Sequence, residues 1–530
     1  MSSIVQQKVG DKIYLYESVS YRNEEGKPRN TRVPIGKVDP LTGQPIYKPE
    51  YLARMADMGT PIDTSATDTM FSIADIRAST IKDYGAFYLF NRIADCTGLL
   101  NALEHAMPDY WQEIFMLACY LVSSGDPFLY CEDWLNRTEC LPVGNMSSQR
   151  ISELLMAVPP DERVKFYQSW CRLRSEQEYL ALDITSTSSY STLIDDVEWG
   201  YNRDEEHLPQ INICMLMGEK SRLPIYQTVY SGSLKDVSTL ETTIAEMDSI
   251  SEGKPTLIVM DKGFFSTNNI NSMMDDPGRV RFIIAVPFTS NFAKKQVECE
   301  RNDIDRLQNT IVTGCDSIRA VTKLRSWNKE HKLYSHVFYN ALKAMKLREE
   351  LYAHVTVLKE RAEVDPSAAM QDANYLRYLI IRKSEKDPSG HTVNIREDVI
   401  SKELEHAGWM VVISNDVSDV KEAISIYREK DVVEKGFLRL KNSLDLGRLR
   451  VHKQDSMQNK VFISFIALIL LSHIHKIMVD QGLYKHMTMK KLLMTLSKLR
   501  IQEINGARIL FPLTKLQKDI YKAFGVDEPV

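Results

Sequence analysis

"YREKDVVEKGFLRLK", residues 427–441, sets one carboxylate, Glu434, among three lysines, with an aromatic residue seven positions before it. At about 100° per residue, Tyr427, Lys430, Glu434 and Lys441 fall within roughly 60° of one another on a helix. Ile426, Val433, Phe437, Leu440 and Leu444 form a neighbouring stripe, the pattern of a helix with one side in a core. Beside that stripe stands an acid flanked by a phenol and two ammonium groups. Two readings fit. One is a solvated face with i,i+4 ion pairs, Lys430 to Glu434 among them. The other is a carboxylate metal ligand beside cations that hold phosphates. Partner carboxylates elsewhere in the chain decide between them.

Two such carboxylates end apolar strands. "YLALDITST" (179–187) is an apolar run that reaches Asp183 and a Ser/Thr stretch, and "PTLIVMDKGFFS" (255–266) stops at Asp261 and turns at Gly263. Around them lie "QINICMLMGEKSRLPIYQTVYSGS" (210–233), read as two strands about a "GEKSR" turn, the helix "DVSTLETTIAEM" (236–247), and the strands "RFIIAVPF" (281–288) and "GWMVVISND" (408–416). Apolar strands interleaved with helices predict an α/β fold, a mixed sheet buried on both faces. Catalytic groups gather at strand ends in such sheets, although a single Asp there is more often a turn former or helix cap. As a set, Asp183, Asp261 and Glu434 could bind two Mg²⁺ ions, hard cations that take oxygen ligands. A two-metal site activates a water or hydroxyl and stabilises the leaving oxygen of a phosphodiester. The lysines near Glu434 would then grip backbone phosphates.

At this point the chain resembles the DDE transposases of bacterial insertion sequences, in the subgroup with a Tyr-x2-Arg-x3-Glu-x6-Lys (YREK) signature. Here the pattern reads Tyr427-x2-Lys430-x3-Glu434-x6-Lys441, after "LALDITSTS" for the first Asp and "IVMDKGFFS" for the second. The spacings are 78 residues from Asp183 to Asp261 and 173 from there to Glu434. "LRVHKQDSMQNKVFISFIALILL", "YRNEEGKPR…IGKVD" and "SSQRISELL" also resemble the family, so the likeness covers nearly the whole chain. One departure is Lys430 in place of arginine, which keeps the charge and loses the bidentate fork; weaker end binding follows, with the chemistry retained.

The resemblance implies an RNase H-like catalytic core and cut-and-paste DNA transposition, a form of DNA recombination. The enzyme would act as an endonuclease at the ends of the mobile element, and the freed 3′-OH would then attack DNA. Asp183, Asp261 and Glu434 would be catalytic and metal-binding, with two Mg²⁺ ions per site and Mn²⁺ able to substitute. Tyr427, Lys430 and Lys441 would contact phosphates, Arg450, His452 and Lys460 would extend that DNA-binding surface, and Trp327 would stack on a flipped base. Ordinary exposed residues and a core tryptophan are the plainer readings of those last four. The implied partners are double-stranded DNA, as terminal inverted repeats and target, and a second copy in a synaptic homodimer. No GxxxxGK[ST] occurs, so no nucleotide cofactor is expected. A catalytically inactive, sequence-specific DNA-binding relative is the alternative. A two-carboxylate glycosidase, needing no metal, fits the lysines around Glu434 poorly.

At 530 residues the chain is long enough for about three or four domains. Residues 1–60 read as a β-rich segment, a candidate DNA-end contact, with a polar turn at "NEEGK". Residues 61–178 read as a helical, candidate DNA-binding domain. In it Ser147 or Ser148 caps a helix carrying Arg150, and a helix-turn-helix and a plain bundle fit equally. The core follows at 179–289, an insertion domain at 290–405, the second part of the core at 406–475 and a helical end at 476–530. With 44% hydrophobic and 26% charged residues the composition is that of a globular protein. The longest apolar run, "VFISFIALILL" (461–471), is shorter than the about 20 residues a bilayer needs, and no membrane partner is expected. Eight cysteines without CxxC suggest neither zinc nor disulfides, which fits a reducing cytoplasm; the resemblance implies a bacterial cytoplasmic protein, nucleoid-associated when acting. The net charge of −5 hides an asymmetry: residues 427–530 carry +9 and the rest −14, a hint of a polyanion-binding end.

Overall fold

The apolar runs that read as strands do form one sheet. In the computed structural model they lie at the centre of a nine-stranded sheet. The structure describes residues 2–9, 12–22, 28–39, 45–51, 54, 73–174, 178–251, 254–313, 316–383 and 390–530. The chain divides into two units, 1–78 and 79–530. In the first, β1 (Ser2–Val9), β2 (Lys12–Arg22), β3 (Pro28–Val38) and β4 (Pro45–Tyr47) form an antiparallel meander. Its core is small: Leu15, Ile35 and Tyr51, with Val38 and Tyr47 against them. The turn expected at 23–27 and the linker-like stretch after 61 fall largely outside the described residues.

The second unit opens with β5 (Thr80–Asp83) and a helical layer: α1 (Gly85–Cys96), α2 (Leu99–Ala106), α3 (Trp111–Ser124), α4 (Ser148–Ala157) and α5 (Pro160–Leu173). Ser147 caps α4, its hydroxyl accepting from the Arg150 N–H. Pro160 begins α5, where a missing N–H costs no helical bond.

The sheet comprises β6 (Leu180–Ser188), β7 (Gln210–Gly218) and β8 (Pro224–Ser231). After α6 (Asp236–Ser251) come β9 (Thr256–Met260) and β10 (Val280–Val286), then β11 (Thr310–Thr313), β12 (Asp316–Ser326) and β13 (Lys332–Tyr339). α7 (Ala341–Val364) and the separate hairpin of β14 (Leu379–Lys383) and β15 (His391–Ile395) precede β16 (Trp409–Ser414). β6, β9 and β10 run parallel at the centre, and the flanking pairs are antiparallel. Every residue of β7 is buried, as a strand covered on both faces requires.

Strands β11–β13 belong to this sheet although they lie within 290–405. Their exposed, charged positions set their text apart from the apolar centre, because they approach the sheet's outer edge. The chain leaves the sheet after β13 and returns at one point: Tyr339 pairs with Trp409, and the Asn340 carbonyl side meets Gly408, whose carbonyl accepts from the Asn340 N–H at 2.9 Å. Residues between them bury a core of their own, including Val355, Leu358, Ala362, Tyr378, Leu379 and Ile400.

Past β16 come α8 (Val420–Glu429), α9 (Asp431–Ser443) and α10 (Gln454–Asp480). The single helix expected over 427–441 is thus two, meeting at Lys430, where the Val433 N–H reaches the Lys430 carbonyl at 3.1 Å. That i→i+3 bond tightens the junction. The run at 461–471 lies in the 27-residue α10, which is long and apolar enough to cross a membrane. The run itself is as short as expected and is buried; the whole helix that contains it is what reaches spanning length. Within the fold 78% of its apolar window is buried, and Gln227 of β8 donates to the Val461 carbonyl at 2.8 Å. A helix apolar all round belongs in such a setting. β17 (Arg500–Ile504) and β18 (Ala507–Leu510) close the chain on β5 as a three-stranded sheet.

Candidate active site

Parallel pairing of β6 with β9 sets Leu182 opposite Met260. Asp183 and Asp261 are the next residues of each, so they stand side by side on adjacent strands about 4.8 Å apart in the hydrogen-bonding direction. Across the other edge Asp183 pairs with Met215, and opposed residues of an antiparallel pair share a face. Met215 and Met217 both lie under Gly436 of α9: a Cβ there would run into Met217 Sδ and lie 3.9 Å from Met215 Sδ. Asp183 therefore faces α9, and the missing side chain of Gly436 lets that helix approach the sheet.

Each carboxylate has a partner. Asp183 Oδ1 accepts from its neighbour's N–H, that of Ile184, at 2.8 Å and lies 3.3 Å from Arg203 Nη1. Burial pushes its carboxyl up to about 6, against the pull of Arg203, the Ile184 N–H and Lys430. Asp261 accepts from the Tyr427 hydroxyl at 3.1 Å; burial, with Asp261 beside it, raises that phenol well above its ordinary value. Glu434 meets Lys430 at 3.0 Å and is half exposed. Burial alone would lower the Lys430 ammonium, but Glu434, Asp261 and Asp183 together hold it above its ordinary value. One lysine thus feels all three acids.

Several residues had no signal in the sequence. Arg203 also reaches Asp236, at the head of α6, at 2.5 Å. Asp236 is raised by burial, with Arg203 opposing. Lys441 lies 2.6 Å from Asp204, and Arg448 lies 2.8 Å from Glu206. The string "NRDEEH" (202–207) reads as a solvated loop; only the fold brings it against the carboxylates.

The outlying expectations fare differently. Arg450 is half exposed and pairs with Asp445 at 2.9 Å, and His452 is exposed. Lys460 is corrected: it is 4% exposed and donates to the Leu449 carbonyl at 2.9 Å, beside Asp445 at 3.4 Å. Holding that loop leaves no ammonium for a phosphate. Trp327 is half-buried: its indole N–H donates to Asn271 at 2.7 Å, and its ring makes T-shaped contacts with Phe265 and Phe292. Arg150 is taken up by both oxygens of Glu113.

The family described as "Transposase DDE domain" matches residues 174–470, from just before β6 into α10. The chain belongs to the DDE transposase family. Among solved structures, a piggyBac transposase synaptic complex with hairpin DNA is similar at 11% identity, over 83% of this chain and 74% of that one, with a TM-score of 0.32. No curated protein matches significantly. For this transposase the donor types fit a divalent metal: three carboxylates, all within electrostatic reach of one ammonium. Among the described residues no three acidic, histidine or cysteine side chains are close enough to share an ion; Arg203, Tyr427 and Lys430 each engage one of the three carboxylates.

Proposed function

We propose that this transposase belongs to the YREK-signature subgroup of bacterial insertion sequences and cuts DNA at terminal inverted repeats, joining the freed 3′ ends to target DNA by cut and paste. The observation that carries the reading is the pairing that sets Asp183 and Asp261 just past the end of the parallel β6–β9 ladder, with Tyr427 hydrogen-bonded to Asp261 and Lys430 to Glu434. Residues 179–289 and 406–475 compose an RNase H-like core in this reading, with an insertion domain between β13 and β16 and DNA-facing segments in 1–60 and 61–178. Asp183, Asp261 and Glu434 would hold two Mg²⁺ ions, with Mn²⁺ able to substitute, and such ions supply Lewis-acid charge at the attacked phosphodiester.

The chain's own groups do the rest. Tyr427 holds the Asp261 carboxylate through its hydroxyl. Lys430 offsets the mutual repulsion of the three acids and stays protonated, which suits it to a phosphate oxygen. Lys441 supplies a second cation along the strand. Two ends must be cut together, so a homodimer on DNA is the working unit. Transesterification conserves bond energy, and no nucleotide is required.

The test is cleavage of a labelled duplex bearing the element's terminal repeat, in Mn²⁺ or EDTA, by wild type and Glu434→Gln. Cutting at the repeat end in Mn²⁺ alone, reduced at least about a thousandfold by the substitution, is the expected result. Binding without cutting under every metal would instead establish an inactive DNA-binding relative. The separately engaged carboxylates and Lys430 in the arginine position are the observations on that side.

A further inference from the structure

The loop between β6 and β7 supplies side chains that the reaction above does not use. Arg203 bridges Asp183 at 3.3 Å and Asp236 at 2.5 Å. The next residue, Asp204, lies on Lys441 at 2.6 Å. Two further on, Glu206 takes Arg448 at 2.8 Å and the Ser188 hydroxyl. Within four residues, one cation covers a pair of carboxylates and two carboxylates cover two cations. Each mimics the charge of something the site would bind: a guanidinium for a metal ion, carboxylates for phosphate oxygens.

We propose that Arg203, Asp204 and Glu206 are an internal stand-in for metal and DNA, that Lys441 and Arg448 are the sites of two DNA backbone phosphates, and that the resting transposase occludes itself. The inference rests on the DDE reading above and adds Arg448 to it. Three observations single out that arginine. Its Nη1 is buried and has no acceptor among the described residues, so the guanidinium has a donor to spare for a bidentate phosphate. Its backbone bridges to Ser188, and the Leu449 N–H reaches the Ser188 carbonyl at 3.3 Å; this ties it to the strand that carries Asp183. The Tyr190 ring lies against its guanidinium at 5.1 Å.

Exchange needs only side-chain rotation. The loop backbone is held by the Arg203 N–H on Ser186 Oγ and by Asn202 Nδ2 on Ser188 Oγ, both at 3.0 Å. Asp204 and Glu206 side chains are 41% and 35% exposed, and their partners Lys441 and Arg448 13% and 25%. With the acid side open to water such pairs are partly salt-screened, whereas a duplex gains counterion release at each phosphate contact. DNA therefore wins the competition at moderate salt.

The experiment measures binding of a fluorescent duplex of arbitrary sequence, in EDTA, across a salt series. Asp204→Ala/Glu206→Ala is expected to bind about tenfold tighter at low salt, with a slope of log K against log salt steeper by about 2, one for each freed cation. Asp204→Asn/Glu206→Gln keeps the loop's shape and reproduces the gain. Glu349→Ala/Glu360→Ala removes the same charge from α7 and leaves the slope unchanged. Adding Arg448→Ala to the loop variant takes back about 1 of that slope. Without DNA, Arg203→Ala binds Mn²⁺ about tenfold tighter by calorimetry, since the carboxylates lose a competing cation. An unaltered slope in the loop variants while wild type binds DNA, or weaker Mn²⁺ binding by Arg203→Ala, overturns the stand-in and leaves the DDE reading intact. If neither wild type nor any variant binds DNA, the DDE reading fails and the stand-in with it.

Discussion

Asp183 is the residue whose chemistry the fold alters most legibly. Burial lifts its carboxyl from 3.8 to about 6. A folded value above the unfolded one means that the stability it contributes is fully present below the unfolded value and is lost as pH rises through about 6. Asp183→Asn is neutral throughout. In urea unfolding at pH 7 it should exceed wild type by on the order of 1–3 kcal/mol, and the gap should close towards pH 4. The two-metal reading proposed above would need the same ionisation, so stability would be traded for function at this position. Lys430 tests the departure from the signature. Lys430→Arg restores a planar fork for a phosphate, and duplex affinity should rise a few-fold, measured by anisotropy at fixed salt. An unchanged or lower affinity would show that the junction between α8 and α9 has adapted to the slimmer ammonium.

At the scale of elements, the distance between α9 and β7 is set by Gly436. Alanine there must displace only the flexible end of Met217, and it gains helix propensity of about 1 kcal/mol, so Gly436→Ala should be nearly neutral. Gly436→Val forces the helix off the sheet and should cost about 1–3 kcal/mol, with a larger loss of cleavage because Glu434 moves away from Asp183. Equal loss of stability and no loss of cleavage would separate the helix position from the chemistry. His336 joins three elements: it meets Thr322 of β12 at 2.7 Å and the Val417 carbonyl beyond β16 at 3.1 Å. Burial lowers its imidazole to about 4, with the Val417 carbonyl and Asp419 opposing. A depressed folded value places its stability above the unfolded value near 6.5, and that stability drains away as pH falls towards 4. His336→Gln should flatten unfolding free energy against pH in that window, measured by urea titration at several pH values.

For the second unit as a whole, the sheet survives a long excursion because its ends meet. Asn340 and Gly408 are hydrogen-bonded across the β13–β16 pair, and Gly408 has a φ of +79°, a left-handed turn position that suits glycine. The excursion buries its own side chains. Replacing residues 341–407 by a two-residue Asn-Gly turn should therefore leave a cooperative thermal transition and the β-sheet circular dichroism of the parent. Loss of cooperativity would show that the excursion is part of the main core. Leu358→Ala within it should cost about 2–5 kcal/mol locally, read as faster amide exchange in 341–407 with β6 and β9 unaffected.

Strand identity, the acids at Asp183 and Asp261, and the Tyr427–Lys441 signature could be read from the chain alone, because hydrophobic period and punctuation are local properties. Glu434 was also legible, since its spacing from its neighbours is helical even across the break at Lys430. What only the tertiary structure decided was company. Register set Asp183 beside Asp261, a missing Cβ admitted α9, and a loop of ordinary polar residues delivered Arg203, Asp204 and Glu206 to the same place. The same long-range contacts buried Lys460 and set Trp327 against Phe265 and Phe292, residues whose type suggests solvent or stacking. Contacts between distant segments leave no period in a single sequence; they arise when burial of β6, β7 and α10 forces the chain's one compatible packing.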